Sequence, residues 1–182
     1  MESKTHIVIL GLLSERPLSG YDIKKLIDLR FRFFWNESYG QIYPQLKKLQ
    51  TEGLITSLEK QTQGRSKAKY AITESGRSAL KAWLSQTPEK ESVRIELLLK
   101  MYFGDSSQPS VLAQHIKGFQ ENHQRDLAML SLFKKELQSI PDPDHNHQNI
   151  LSVIEFGIKT NQAYLAWCEE SLTQLEVSHE SK

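Results

Sequence analysis

The segment that most restricts the fold is residues 35–54, WNESYGQIYPQLKKLQTEGL. Ile42, Leu46 and Leu49 recur at helical spacing and should face inward, with Tyr43 at the margin of that stripe. The opposite face carries Ser38, Tyr39, Gln41, Gln45, Lys47 and Lys48, with no acid between Glu37 and Glu52. Hydrogen-bonding side chains, a flat aromatic and two cations on one helix face suit a polyanion with readable edges, which describes the major groove of duplex DNA. Gly53 is placed to end the helix as its C′ residue, and Leu54 and Ile55 begin a strand. Proline costs about 3 kcal/mol inside a helix but is tolerated in the first turn. Chain order starts the third helix near Glu37 or Ser38, whereas Pro44 favours a start only near Gln41 or Ile42, with the N-terminal turn aimed at DNA; a local kink is the plainer alternative.

Strand-like runs follow at residues 54–59 and 69–72, separated by a polar, basic stretch with Gly64 at its turn. Arg65, Lys67 and Lys69 give that turn its charge. A hairpin with a basic tip directly after a helix with a polar face is the layout of a winged helix. Upstream, residues 5–13 form an almost wholly apolar helix with Thr5 or Ser3 as its cap, broken by Pro17. A second helix is predicted over residues 21–34, and Thr73 is placed to cap a fourth. The order helix, helix, helix, strand, wing, strand is that of a winged helix-turn-helix. Tyr70 alternates with Ala71 and so shares a face with Ile72, which leaves it either a core residue or a hydroxyl beside the wing.

Charge divides the chain. Its formal net charge is only +1, but residues 1–86 hold 14 Lys+Arg against 8 Asp+Glu, and residues 87–182 hold 9 against 14. Only the first half is suited to meet a polyanion. The change of sign falls at residues 87–92, TPEKES, a polar stretch containing Pro88. Two domains follow from this: a winged-helix domain over residues 1–86 and a helical domain over residues 93–176.

The second half opens with an amphipathic segment, residues 93–103. Two long helices follow at about residues 110–139 and 149–175. Each carries an apolar seam of about 25 residues, roughly 38 Å long. Pro141 and Pro143 force an antiparallel return between them. Ile154, Ile158, Leu165 and Leu172 line one stripe of the last helix, with no evident partner inside the chain large enough to cover it. Dimerisation through that stripe is the expectation, since it brings two reading heads together. His123 and Asn161 interrupt the two seams and are read as buried polar residues that set the pairing register.

Other classes are less well served. The apolar run near the N-terminus is short and lacks a small-residue cleavage site, and no run of about 18 apolar residues occurs. A cytoplasmic protein without a membrane partner is expected. The single cysteine, Cys168, excludes an intramolecular disulfide, and with no cation beside it the thiol reads as helix packing. Asp142, Asp144, His145 and His147 crowd one turn, but without fixed ligand spacing they read as a solvated loop, and no metal is predicted. No Gly-rich phosphate loop, nucleophile elbow or recognisable carboxylate pair occurs, so neither an enzyme nor a cofactor is expected. Trp35, Trp83 and Trp167 read as core, although Tyr164 and Trp167 also suit the lining of a pocket for an aromatic effector. A winged-helix protein–protein adaptor remains as the alternative function. The cluster of Arg65, Lys67 and Lys69 distinguishes the two, because an adaptor does not need it.

Three motifs in order, GYDI (20–23), IYPxLxxL (42–49) and KYxITxxG (69–76), resemble the PadR family of bacterial transcription regulators over roughly the first half. Length and pattern make the second half similar to the helical domain of the longer, AphA-like subfamily. The resemblance implies a mainly α fold: an N-terminal winged helix-turn-helix and a C-terminal antiparallel long-helix dimerisation domain. It implies a homodimeric regulator, usually a repressor, on a partly palindromic operator, in some relatives answering to a small aromatic or hydrophobic effector. The DNA-binding positions it implies are Ser38, Gln41, Tyr43, Gln45 and Lys48 in the third helix, Gly64, Arg65 and Lys67 in the wing, and Tyr70 beside it. Relatives often carry Gly-Arg-Pro after the turn, where this chain has Ser66 in place of the proline.

Overall fold

The computed structural model describes residues 4–35, 42–58, 68–104, 109–142 and 146–180. Among these residues the chain forms seven α-helices and three short strands. It divides into two compact units, Met1–Lys90 and Glu91–Lys182, and the division falls inside the polar stretch at residues 87–92.

In the first unit, α1 (Thr5–Glu15) is apolar on nearly every side and lies at the centre of the core. Thr5 is buried within its first turn instead of capping it. Lys4 takes the N-cap position, and its ammonium reaches Glu89 at 2.7 Å. That hydrogen bond, and then the charge behind it, holds the Glu89 carboxyl below its ordinary range. Ser19 caps α2 (Gly20–Arg30) through a reciprocal box: its hydroxyl accepts from the Asp22 N–H, and the Asp22 carboxylate accepts from the Ser19 N–H. The predicted second helix ran to residue 34, but residues 31–34 form turns around a small aromatic group of Phe31, Phe33 and Phe34.

α3 (Ile42–Thr51) sets Ile42, Leu46 and Leu49 into the core, each about 1% exposed. Pro44 is its third residue. The helix stops in a Schellman turn, with Gly53 at φ 71°, the Leu54 N–H bonded to the Leu49 carbonyl and the Gly53 N–H to that of Gln50. Only a residue without Cβ adopts that φ at little cost. β2 (Ile55–Ser57) and β3 (Lys69–Ile72) pair antiparallel as expected, and β3 also pairs with β1 (Leu18–Ser19), giving the order β1-β3-β2. β1 is too short to show a period-2 pattern, so only the folded chain reveals it.

α4 (Glu74–Leu84) is clamped to the corner between α3 and β2. The Thr73 hydroxyl caps it at the Gly76 N–H (3.1 Å) and donates to the Gly53 carbonyl at 2.7 Å. A Cβ on Gly76 would fall well inside the van der Waals envelope of the Leu54 carbonyl oxygen and 2.8 Å from Ile72 Cγ1. Backbone cannot yield as a side-chain tip does. Gly76→Ala should therefore destabilise the protein by about 1–3 kcal/mol, read as a lower midpoint in urea. An unchanged midpoint would mean that the corner relaxes freely.

In the second unit, α5 (Glu96–Phe103) precedes α6 (Pro109–Ser139) and α7 (His147–Glu180). Two side-chain bridges fix α6 and α7 as an antiparallel pair, since His123 meets Asn161 whereas Lys134, further along α6, meets Glu155, further back on α7. The Lys134 hydrogen bond lowers the Glu155 carboxyl below its ordinary range. Ile116, Leu97 and Cys168 make a buried cluster with Trp167 and Leu172 packed on it. Burial, followed by the nearby Glu169 carboxylate, pushes the Cys168 thiol up, away from the reactive thiolate.

One sequence expectation about these helices is corrected. Ile154 and Ile158 are buried within the chain, at 7% and 8% exposure. Their stripe does have an intrachain cover, because the seams of α6 and α7 face each other across the turn that joins them. Asn161 is also buried, and its amide fixes a tautomer. Asn161 Nδ2 donates to the Gly157 carbonyl (2.7 Å), so Oδ1 must accept the proton on His123 Nδ1, also at 2.7 Å. The two polar interruptions thus satisfy one another across the α6–α7 seam. Phe119, Tyr164 and Trp167 surround them, with ring centroids 4.2 Å from Phe119 to His123 and 4.6 Å from His123 to Tyr164. In the turn, Asp142 accepts from the Asn146 and His147 N–H groups; residues 143–145, including His145, lie outside the described residues. Among the described residues no group of three or more His, Cys, Asp or Glu could hold a metal, and no helix is long and apolar enough to cross a membrane.

Candidate nucleic-acid interface

The apolar stripe of α3 anchors the helix, so its other face is presented outward. Tyr43 is 64% exposed, and Lys47 and Lys48 are exposed one turn further on. Lys48 has Glu52 at 3.9 Å, a loose pair with both partners in solvent that leaves the ammonium able to move. Lys69 on β3 is exposed opposite Ser19, at the start of α2. Lys24 and Lys25 are exposed on α2. Cations from three elements therefore sit on the surface of one small unit.

Two implied DNA-binding positions are more enclosed. Gln45 is half-buried, and its amide oxygen is shielded from solvent with no hydrogen-bond partner among the described residues. Tyr70 pairs with Leu18 and Ser57 and packs, half-buried, against the core together with Ile72, the same-face arrangement that alternation predicted. Ser38, Gln41, Gly64, Arg65 and Lys67 lie outside the described residues.

Comparison with known proteins bears on this geometry. Residues 9–82 match the transcriptional regulator PadR-like family, and residues 93–176 match the family described as virulence activator alpha C-term. The chain is 32% identical to the negative transcriptional regulator PadR of Bacillus subtilis over 177 residues, 92% of this chain and 95% of the relative. It belongs to the PadR family of transcriptional regulators. A PadR-like transcriptional regulator of Bacillus cereus superposes with a TM-score of 0.78 at 31% identity, covering 96% of this chain and 99% of that one. Bacillus subtilis PadR in complex with operator DNA superposes at 0.74 with 32% identity, covering 93% and 98%. The same protein in complex with p-coumaric acid superposes at 0.71 with 30% identity, covering 93% and 97%.

In this PadR-family regulator the pattern of the sequence located Lys48 on the exposed side of α3, but it set Tyr43 beside the inward stripe, where the structure instead exposes it, and gave no role to Gly20. A Cβ on Gly20 would lie 2.7 Å from Tyr43 Cε1, so the first residue of α2 lies against the Tyr43 ring. The available signal was a glycine directly after a good N-cap serine. Nothing about helix initiation asks for glycine at that first helical position.

Proposed function

We propose that this regulator represses transcription as a homodimer, inserting α3 of each copy into successive major grooves of a partly palindromic operator. The observation that carries this reading is the division of α3 into a fully buried apolar face and an exposed face bearing Tyr43, Lys47 and Lys48. Support comes from the likeness to Bacillus subtilis PadR, solved with operator DNA. Tyr43, Gln45 and Lys48 read the groove from α3, together with Ser38 and Gln41 ahead of it in the chain, while Gly64, Arg65 and Lys67, with Tyr70 beside them, serve the wing. A homodimer accounts for the apolar surface left open on α5, where Leu98, Leu99, Tyr102 and Phe103 are exposed in the single chain. Leu165 and Leu172, only partly covered on α7, extend the same reading, with Ile154 and Ile158 supporting it from beneath. A small aromatic or hydrophobic effector is the release signal in this scheme, by analogy with the p-coumaric acid complex of the Bacillus subtilis protein.

The test is a titration of DNA from upstream of its own operon at increasing salt. Each phosphate neutralised by a lysine or arginine releases a counterion, so log K should fall against log salt with a slope of about −0.9 per neutralised phosphate. A two-headed protein should show a slope of several units, and p-coumarate added at low salt should weaken binding. Binding indifferent to salt, or absent from upstream DNA, would sink the proposal.

A further inference from the structure

Gly20 opens α2, and among the described glycines only Gly53 has positive φ, so the backbone at position 20 has no need of glycine. Alanine is the better helix former there. What excludes a side chain is Tyr43. A Cβ at position 20 would stand 2.7 Å from Tyr43 Cε1 and 3.2 Å from both Tyr43 Cζ and Leu46 Cδ1. Leu46 is fixed in the core at 1% exposure, whereas Tyr43 is largely exposed, so the tyrosine ring is the part that would move. Cζ, one of the atoms against the glycine, is the carbon that bears the hydroxyl. The seat on Gly20 therefore sets where the polar end of Tyr43 stands.

We propose that Gly20 is a positioning residue: the bare backbone at the start of α2 seats the Tyr43 ring and so fixes its hydroxyl for DNA. This role rests on the DNA-reading function proposed above. It also accounts for a glycine where the Ser19 cap and the helical backbone would accept alanine, since the space is taken by a ring from the next helix.

A double-mutant cycle on the full chain tests it. Gly20→Ala should weaken binding to the upstream DNA fragment about tenfold when Tyr43 is present and should have no effect in a Tyr43→Ala background. In that background Gly20→Ala should raise the melting temperature, because the 2.7 Å collision with the ring is gone, only the tip of Leu46 at 3.2 Å has to give, and alanine is the better helix former. Equal losses in both backgrounds, or no loss in either, would overturn the proposal. A readout without DNA separates it from the function it rests on. The Gly20 Hα signals of the native chain should carry an aromatic ring-current shift that Tyr43→Ala abolishes. Absence of that shift removes the seat itself. Its presence in a chain that binds no upstream DNA would sink the DNA reading, and this role with it, while leaving the packing intact.

Discussion

Ending the chain after Lys90 should leave a folded, monomeric winged helix whose affinity for its operator is lower by roughly two to four orders of magnitude. The core of the first unit is self-contained. Ile9, Leu10, Leu12, Leu13, Ile23, Ile27, Ile42, Leu46, Leu49 and Ile55 pack together with at most 2% exposure, and every one lies before Lys90. Large apolar side chains contribute about 1.5–3 kcal/mol each on burial, which suffices for a small unit to fold alone. In the proposed dimer the second head binds at an effective concentration set by the first, and that advantage disappears with the helices that join them. Analytical ultracentrifugation and an operator titration on the same fragment check both halves of the expectation. Cutting within α7 is a worse experiment, because it uncovers the seam of α6 and so disturbs folding as well as assembly. A fragment that keeps full affinity would mean that one head suffices and that the second unit serves another purpose.

Leu46→Ala and Lys48→Ala, two residues apart on α3, should impair DNA binding in different ways, the first through stability and the second through charge alone. Leu46 is 1% exposed in the centre of the core, and its truncation should cost about 2–5 kcal/mol through reduced burial and the cavity left behind. A small unit has little stability to spare, so this variant should be partly unfolded at working temperature and bind no DNA. Lys48 is exposed and only loosely paired with Glu52. Its removal should alter stability by less than about 0.5 kcal/mol while reducing the salt slope of DNA binding by about one unit for each phosphate that its ammonium neutralises. A Lys48→Ala protein with an unchanged salt slope would place that face of α3 away from the phosphate backbone.

The α6–α7 pair shows where an inference from pattern alone goes astray. The spacing of Ile154, Ile158, Leu165 and Leu172 marks one face of a helix. A stripe states only that something covers it, and the nearest cover was the seam of α6, returned by the turn at Pro141. Open apolar surface lies on the short α5, in Leu98, Leu99, Tyr102 and Phe103, and on α7 in Ile150, Val153 and Phe156.

What the sequence determined by itself is what local physics determines. Period and breakers located the helices. Thr73 announced the cap of α4, Gly53 its left-handed turn, and the polar stretch at residues 87–92 the division into two units. The outward placement of Lys47 and Lys48 followed from the inward placement of Ile42, Leu46 and Leu49, because a helix has only one face to bury; Tyr43, beside the inward stripe, was exposed only by the folded chain. Tertiary structure decided whatever depends on residues distant in sequence. It recruited β1 to the sheet, gave His123 and Asn161 to each other and turned Gln45 partly inward. It also set the Tyr43 ring on Gly20, more than twenty positions away. Those pairings depend on which surfaces meet when the helices pack, and no period in a single chain records that.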